Sequence, residues 1–155
     1  MPQIDKIFFT SHFLCPECET MEDKLEIFSN KHYSQHLLDD YSFTHIIWGI
    51  IYGLTLKNLK NVLLANFIFE FFENSFIIVE LYKKAGYERT FDTWINIIGD
   101  TLCVLFGYLI SKLGKIKAII ILLYIEIMLN ILDKDSVTKM LITIFNTIIK
   151  TLKNN

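Results

Sequence analysis

The stretch from Val62 to Ile110 restricts the fold more than any other, because it places acids where acids are expensive. Its first half, VLLANFIFEFFENSFIIV, carries Glu70 and Glu73 midway along an apolar run. Its second half, TWINIIGDTLCVLFGYLI, carries Asp100 well inside. The loop ELYKKAGYERTFD joins them. A charged side chain at the centre of a bilayer costs about 2.5–3.5 kcal/mol on insertion scales, and ionisable residues kept there mark function by default.

Five apolar segments follow a mixed, polar opening region: Phe43–Leu56, Val62–Val79, Thr93–Ser111, Ile116–Leu132 and Val137–Ile149. Hydrophobic residues make up 52% of the 155 residues, with 13 Phe beside only 6 Gly and 2 Pro. A soluble domain of this size does not normally carry so much apolar surface, because its polar exterior must come from the same residues. The fold class expected is all-α: a polytopic membrane helix bundle of four to five helices over residues 42–155, with a small polar N-terminal region at 1–41. The second and third segments approach the length needed to cross a ~30 Å hydrocarbon core. The first and last are short enough to tilt or to lie in the interface.

Charge marks the turns alternately. Lys57 and Lys60 follow the first segment, Lys112, Lys115 and Lys117 follow the third, and Lys150 and Lys153 follow the fifth. None of these three stretches holds an acid. The opposite set is the acidic N-terminal region, the loop Glu80–Asp92 and Asp133–Ser136. The positive-inside rule then places the lysine turns in the cytoplasm and the N-terminal region outside. No basic patch of the kind that binds nucleic acid is present, and no cleavable signal pattern is legible at the N-terminus. The expected partner is the lipid bilayer.

Within the segments, polar and small residues recur at helical spacing. Asn66, Glu70 and Glu73 share one face, as do Asn96, Gly99 or Asp100, Cys103 and Gly107. On the first segment His45, Gly49 and Gly53 align, and on the fourth Glu126, Asn130 and Asp133 align. Small residues four apart let neighbouring helices approach closely. The expectation is a bundle that turns polar faces inward, with a cluster that opens toward the outer side.

Glu70, Glu73 and Asp100 are the candidate catalytic residues, because paired carboxylates on a dry helix face perturb one another. Interhelical hydrogen bonding is the alternative use of such groups. His45, Asp39 and His36 are the candidate metal ligands, since imidazole and carboxylate suit a divalent metal such as zinc; Asp40 or Ser42 capping the first helix is the plainer reading. Cys15 and Cys18 are spaced like half a zinc site, which His12, His32 or His36 would complete, or like a disulfide. Cys103 reads as packing. Arg89 with Tyr82, Tyr87 and Trp94 anchors the outer loop at the interface, or Arg89 holds an anionic head group.

SQHLLDDYSFTHIIWGIIYG, FEFFENSFIIVELYKKAGY and TWINIIGDTLCVLFGYLI together resemble a family of small bacterial inner-membrane proteins of unassigned activity. The family's Ser-Gln-His, Asp-x-Tyr-x-x-Ser-His, Glu with Glu-Asn, and Ser-Asp-Thr-Leu motifs fall here on Ser34–His36, Asp39–His45, Glu70 with Glu73–Asn74, and Gly99–Leu102. Thr44, Trp48 and Gly99 stand where the family carries Ser, a second His and Ser, and the family's extra N-terminal apolar helix is not seen here. More loosely, the order of Asp39 or Asp40, His45, Glu70 or Glu73, Arg89, Asp92, Asn96 and Gly99 resembles VanZ-like membrane proteins. The resemblance implies topology and site positions rather than a reaction; Arg89, Asn74 and Asn96 are the candidate substrate-binding residues.

Two functions fit. One is a metal-assisted hydrolase or transferase that acts on a lipid or lipid-linked substrate. The other is a non-catalytic membrane module: an ion-binding or permeation protein, or a subunit of a larger complex. Gly-x-Ser-x-Gly, phosphate-cradling Gly loops and His-Glu-x-x-His are all absent from the sequence, which argues against covalent catalysis.

Overall fold

The structure, a computed structural model, describes residues 12–29, 31–87, 90–132, 134 and 136–153. Among them the fold is all-α, with α1 (Met21–Lys24), α2 (Ser42–Leu56), α3 (Leu59–Glu73), α4 (Phe76–Lys84), α5 (Trp94–Ser111), α6 (Lys115–Ile131) and α7 (Val137–Lys153). The short α1 is set by a capping box: Asp23 N donates to Thr20 Oγ1, and Thr20 N to the Asp23 carboxylate. The bond from Thr20 holds the Asp23 carboxyl below its ordinary range.

α2 and α5 pack backbone against backbone. A Cβ on Gly107 would fall on the Ile46 carbonyl oxygen, and one on Gly49 would fall on that of Val104. The small faces expected on these two helices are therefore their contact surface, which a larger side chain would prise apart. Gly99 meets the Leu37 carbonyl in the same way and seats the N-terminal loop on α5. Cys103 remains a half-buried free thiol.

The run Val62–Val79, expected as one span, is broken at Asn74–Ser75. Asn74 Nδ2 bends back to the Glu70 carbonyl at 3.1 Å, and Ser75 Oγ accepts from Ile78 N to start α4. Short polar side chains that bond the local backbone end a helix in this way. At the other end, Asn58 Oδ1 accepts from Lys60 N at 2.8 Å, so α3 begins at Leu59 and takes Lys60 and Asn61 from the expected turn.

The connections gather at two ends. Lys112 Nζ donates to the Lys57 carbonyl at 2.7 Å, which joins two lysine turns. At the opposite end Thr93 N donates to the Ser34 carbonyl at 2.8 Å, and Lys134 pairs with Asp40 at 2.8 Å. Tyr33, Tyr41, Tyr82 and Tyr87 stack edge-on there with Met140 beneath. Tyr82 is buried in this cluster and Tyr87 packs against it. Trp94 is exposed.

α6 departs from the inward-facing pattern. Asn130 is exposed and donates to the Glu126 carbonyl, while Glu126 Oε1 accepts from Thr138 N at 2.8 Å. Glu126 thus caps α7, because the first turn of a helix leaves N–H groups in need of an acceptor. Asp133 lies outside the described residues. By length and composition α5, with 18 residues, is the one described helix able by itself to cross a membrane, and α2 is apolar but shorter.

Candidate functional site

The packing of α2, α3 and α5 brings four titratable side chains together. His45, in the first turn of α2, has Nδ1 3.5 Å from Glu70 Oε1. Its Nε2 lies 3.4 Å from Asp100 Oδ2 and 3.8 Å from Glu73 Oε2. All four are at most 5% exposed. The sequence placed both glutamates on one helix face, and α3 turns that face inward: its buried residues are Val62, Asn66, Glu70 and Glu73. Phe69 meets the imidazole edge-on at 5.8 Å and packs on Trp48, which closes the cluster on that side.

Asp39 lies beside this cluster but is occupied by the chain. Its Oδ2 accepts from Ser34 N at 2.7 Å, and its Oδ1 from Tyr41 N and Ser42 N. It shapes the loop that leads into α2, whose N-cap, Tyr41, makes no side-chain cap bond. Ser42 Oγ accepts from Asp39 N and donates to Asp100 Oδ1 at 2.8 Å, with Asp39 Oδ1 at 3.3 Å. Ser42 therefore orients Asp100, a role the sequence reading missed; the signal was its place midway between Asp39 and His45.

Further polar side chains hydrogen-bond around these. Asn74 grips Asp92 at both ends of its amide, Nδ2 to Oδ2 at 2.7 Å and Oδ1 from Asp92 N at 2.8 Å. Asp92, fully buried, joins Glu70 and Glu73 as a group with donor atoms within 4.8 Å. Asn96 Nδ2 donates to the His36 carbonyl at 2.8 Å. Of the two, Asn74 spends its whole amide on the fold and Asn96 spends its NH₂. Arg89 lies outside the described residues.

His36 is brought elsewhere. Its Nδ1 faces the Glu26 carbonyl at 3.0 Å and its Nε2 lies 3.5 Å from Cys18 Sγ. Cys15 and Cys18 are joined as a disulfide, with Gln35 Oε1 3.2 Å from Cys15 Sγ. The structure thus joins His45 with Glu70, Glu73 and Asp100, and places His36 with the disulfide.

One imidazole nitrogen and the carboxylates of Glu70 and Asp100 lie within 4.8 Å of one another. Zinc bonds of ~2.0–2.1 Å in tetrahedral array set ligand atoms ~3.4 Å apart; Asp100 and Glu73 stand 3.4 and 3.8 Å from His45 Nε2, whereas the 3.5 Å approach of Glu70 is to Nδ1, on the other side of the ring. The donor set of nitrogen and oxygen fits a borderline or hard divalent ion. A cavity of about 240 Å³ between α3 and α5 reaches Glu70. A larger cleft, about 470 Å³, lies between the N-terminal loop and the end of α4 and is lined by none of the four. Two of its basic groups are already paired, His32 with Glu17 and Lys83 with Glu80.

A family model described as "Protein of unknown function (DUF2585)" matches residues 7–154. Similar curated proteins are UPF0314 proteins of Brucella anthropi, 29% identical over 121 residues, Agrobacterium fabrum, 31% over 120, and Rhizobium etli, 30% over 118. Each alignment takes 68% of this chain and 60% of the relative, so the chain spans about 60% of the length of the curated relatives it matches. No solved structure matches.

Proposed function

We propose, for a chain that belongs to the DUF2585 family of proteins of unknown function, a multi-pass membrane protein whose His45–Glu70–Glu73–Asp100 cluster holds a divalent metal such as zinc. The metal serves a hydrolase or transferase reaction on a lipid or lipid-linked substrate at the outer face.

The observation that carries the membrane part is the inverted distribution of polarity. His45, Glu70, Glu73, Asp100, Asn66 and Asn96 are buried, while Phe67, Phe72, Leu102, Phe106, Leu109 and Ile120 are at least half exposed. Water does not reward that arrangement and hydrocarbon does. The two ends support the orientation: lysine turns meet at one, and at the other lies a loop with a disulfide, a bond that persists in oxidising compartments.

In the site, His45, Glu70 and Asp100 would hold the ion, with Ser42 fixing the Asp100 carboxylate. A divalent ion bound there supplies Lewis acidity and an activated water. Glu73, beside His45 Nε2 at 3.8 Å, would take the proton of the attacking water or hydroxyl and return it to the leaving group. Phe69 and Trp48 keep bulk water from the imidazole. Arg89 is assigned to the substrate's anionic head group by its charge and its place three residues before Asp92. The second reading, a non-catalytic ion-binding module, draws on the same cluster and on the closed Asn74–Asp92 pair, which is structural.

Elemental analysis of detergent-purified protein tests this. The native chain and Cys15→Ser are expected to retain stoichiometric metal, while His45→Gln and Glu70→Gln lose it with helicity unchanged by circular dichroism. Metal lost only in Cys15→Ser, or absent from the native chain, would sink the metalloenzyme. Metal that survives Glu73→Gln without loss of a cellular phenotype would favour the non-catalytic module.

A further inference from the structure

We propose that the cavity between α3 and α5 is a lateral slot for a single hydrocarbon chain, one that carries a hydrogen-bond donor beside its polar end. The inference rests on the membrane setting and the cluster described above. It adds the access route and the class of ligand.

The slot has one apolar wall on each helix, Leu63 and Phe67 from α3 and Trp94 and Ile97 from α5, and a polar floor of Asn66, Glu70 and Thr101. Leu63, Phe67 and Trp94 are exposed on the outside of the bundle, so the mouth opens sideways rather than toward an end. Its volume, about 240 Å³, falls below the ~300–1,000 Å³ usual for compact ligands. An extended single chain suits it better than a branched or two-chain body.

The floor specifies the head of that chain. Asn66 is 3% exposed, and its Nδ2 donates to Thr101 Oγ1 at 3.0 Å. Its Oδ1 is buried and accepts no hydrogen bond from the described residues. A buried amide oxygen without a donor is costly, and native interiors rarely leave one so. Oδ1 is itself covered, so a ligand hydroxyl or amide N–H meets that need when the Asn66 amide turns toward the slot. Asn66 and Glu70 are four apart on one helix face, so a group bonded to Asn66 sits one turn from the cluster. Monoacylglycerols, prenols and N-acyl amphiphiles share this chemistry, whereas a simple alkane does not.

The test uses the whole chain in nanodiscs, stripped of metal with a chelator, and a monoacylglycerol bearing a diazirine in its acyl chain. Its dimethyl ether, which lacks hydroxyl donors, is the comparison probe. Light-induced labelling is expected to saturate and to map to the α3 and α5 peptides around Leu63–Phe67 and Trp94–Ile97. Ile97→Trp, or Leu63→Trp at the more exposed wall, should cut it roughly tenfold. Asn66→Leu should erase the preference for the hydroxyl probe while the ether still labels. Labelling spread evenly over α6 and α7, or unmoved by both tryptophan variants, overturns the proposal. So does equal labelling by the two probes in the native chain. Labelling is read without metal, so a chain that labels in the slot but binds no zinc keeps this inference and loses only the metal. A chain that binds zinc but labels evenly does the reverse.

Discussion

Ser42 shows how the site depends on residues that carry no chemistry of their own. Its hydroxyl hands a hydrogen bond to Asp100 at 2.8 Å while Asp39 holds its backbone. A hydrogen bond to a charged group is worth ~1.5–3 kcal/mol, and loss of an outer-shell partner typically costs 10–100-fold in metal affinity. Ser42→Ala is therefore expected to weaken zinc binding by roughly that factor in a competition titration, and Ser42→Thr to restore most of it. A fall in thermal stability with unchanged affinity would make Ser42 a structural residue alone. At this scale the sequence was legible wherever the 3.6-residue period decides the outcome. Asn66, Glu70 and Glu73 had to share a face, and they do. It was not legible where a loop folds back: nothing in SQHLLDDYSF says that Asp39 is consumed by three backbone N–H groups. Nor does it show His36 turned toward Cys18 rather than His45.

Among the elements, the α2–α5 pair is the frame on which the cluster hangs. His45 and Asp100 come within 3.4 Å because Gly49 and Gly107 let the two backbones touch. Gly107→Leu drives a side chain into the Ile46 carbonyl, and overpacking of this kind costs ~1–3 kcal/mol or more. The expected outcome is a lower melting temperature together with loss of bound metal. Gly86→Ala meets no neighbour within 4 Å and bears only the strain of a φ of +92°. It should lower stability modestly and leave the metal in place; metal loss in both variants would remove the α2–α5 contact as the cause. The small faces on these helices were readable as spacing. The break at Asn74–Ser75 was not, because hydropathy averages over the two polar residues that end α3 and start α4. Glu126 and Asn130 likewise kept helical spacing yet serve α7 and α6 themselves, since spacing alone does not say which side of a helix is covered.

At the scale of the whole molecule, the described residues enclose a polar cluster beside an apolar core of Ile50, Ile110 and Ala118 and leave many large apolar side chains outside, with two chemically different ends. α2 and α6, at 15 and 17 residues, extend ~22 and ~25 Å at 1.5 Å per residue, less than a ~30 Å core. In a bilayer the lysines at their ends would close part of that gap, because a long aliphatic stem lets the ammonium reach the interface. If the helices cross, the ends must face different compartments, and this is accessible to measurement. In a background with all three cysteines replaced by serine, single cysteines at exposed Lys31 and Lys83 should react with a membrane-impermeant maleimide on intact cells. Lys57→Cys and Lys115→Cys, at the end where Lys112 meets the Lys57 carbonyl, should react only after permeabilisation. The mirror-image pattern would keep the spans and invert the orientation, which would leave the Cys15–Cys18 disulfide on the reducing side where such bonds do not persist. Equal reaction at all four positions on intact cells would mean that α2 and α6 do not separate two compartments. The exposed apolar faces of α3, α5 and α6 would then have to be covered by protein rather than by lipid.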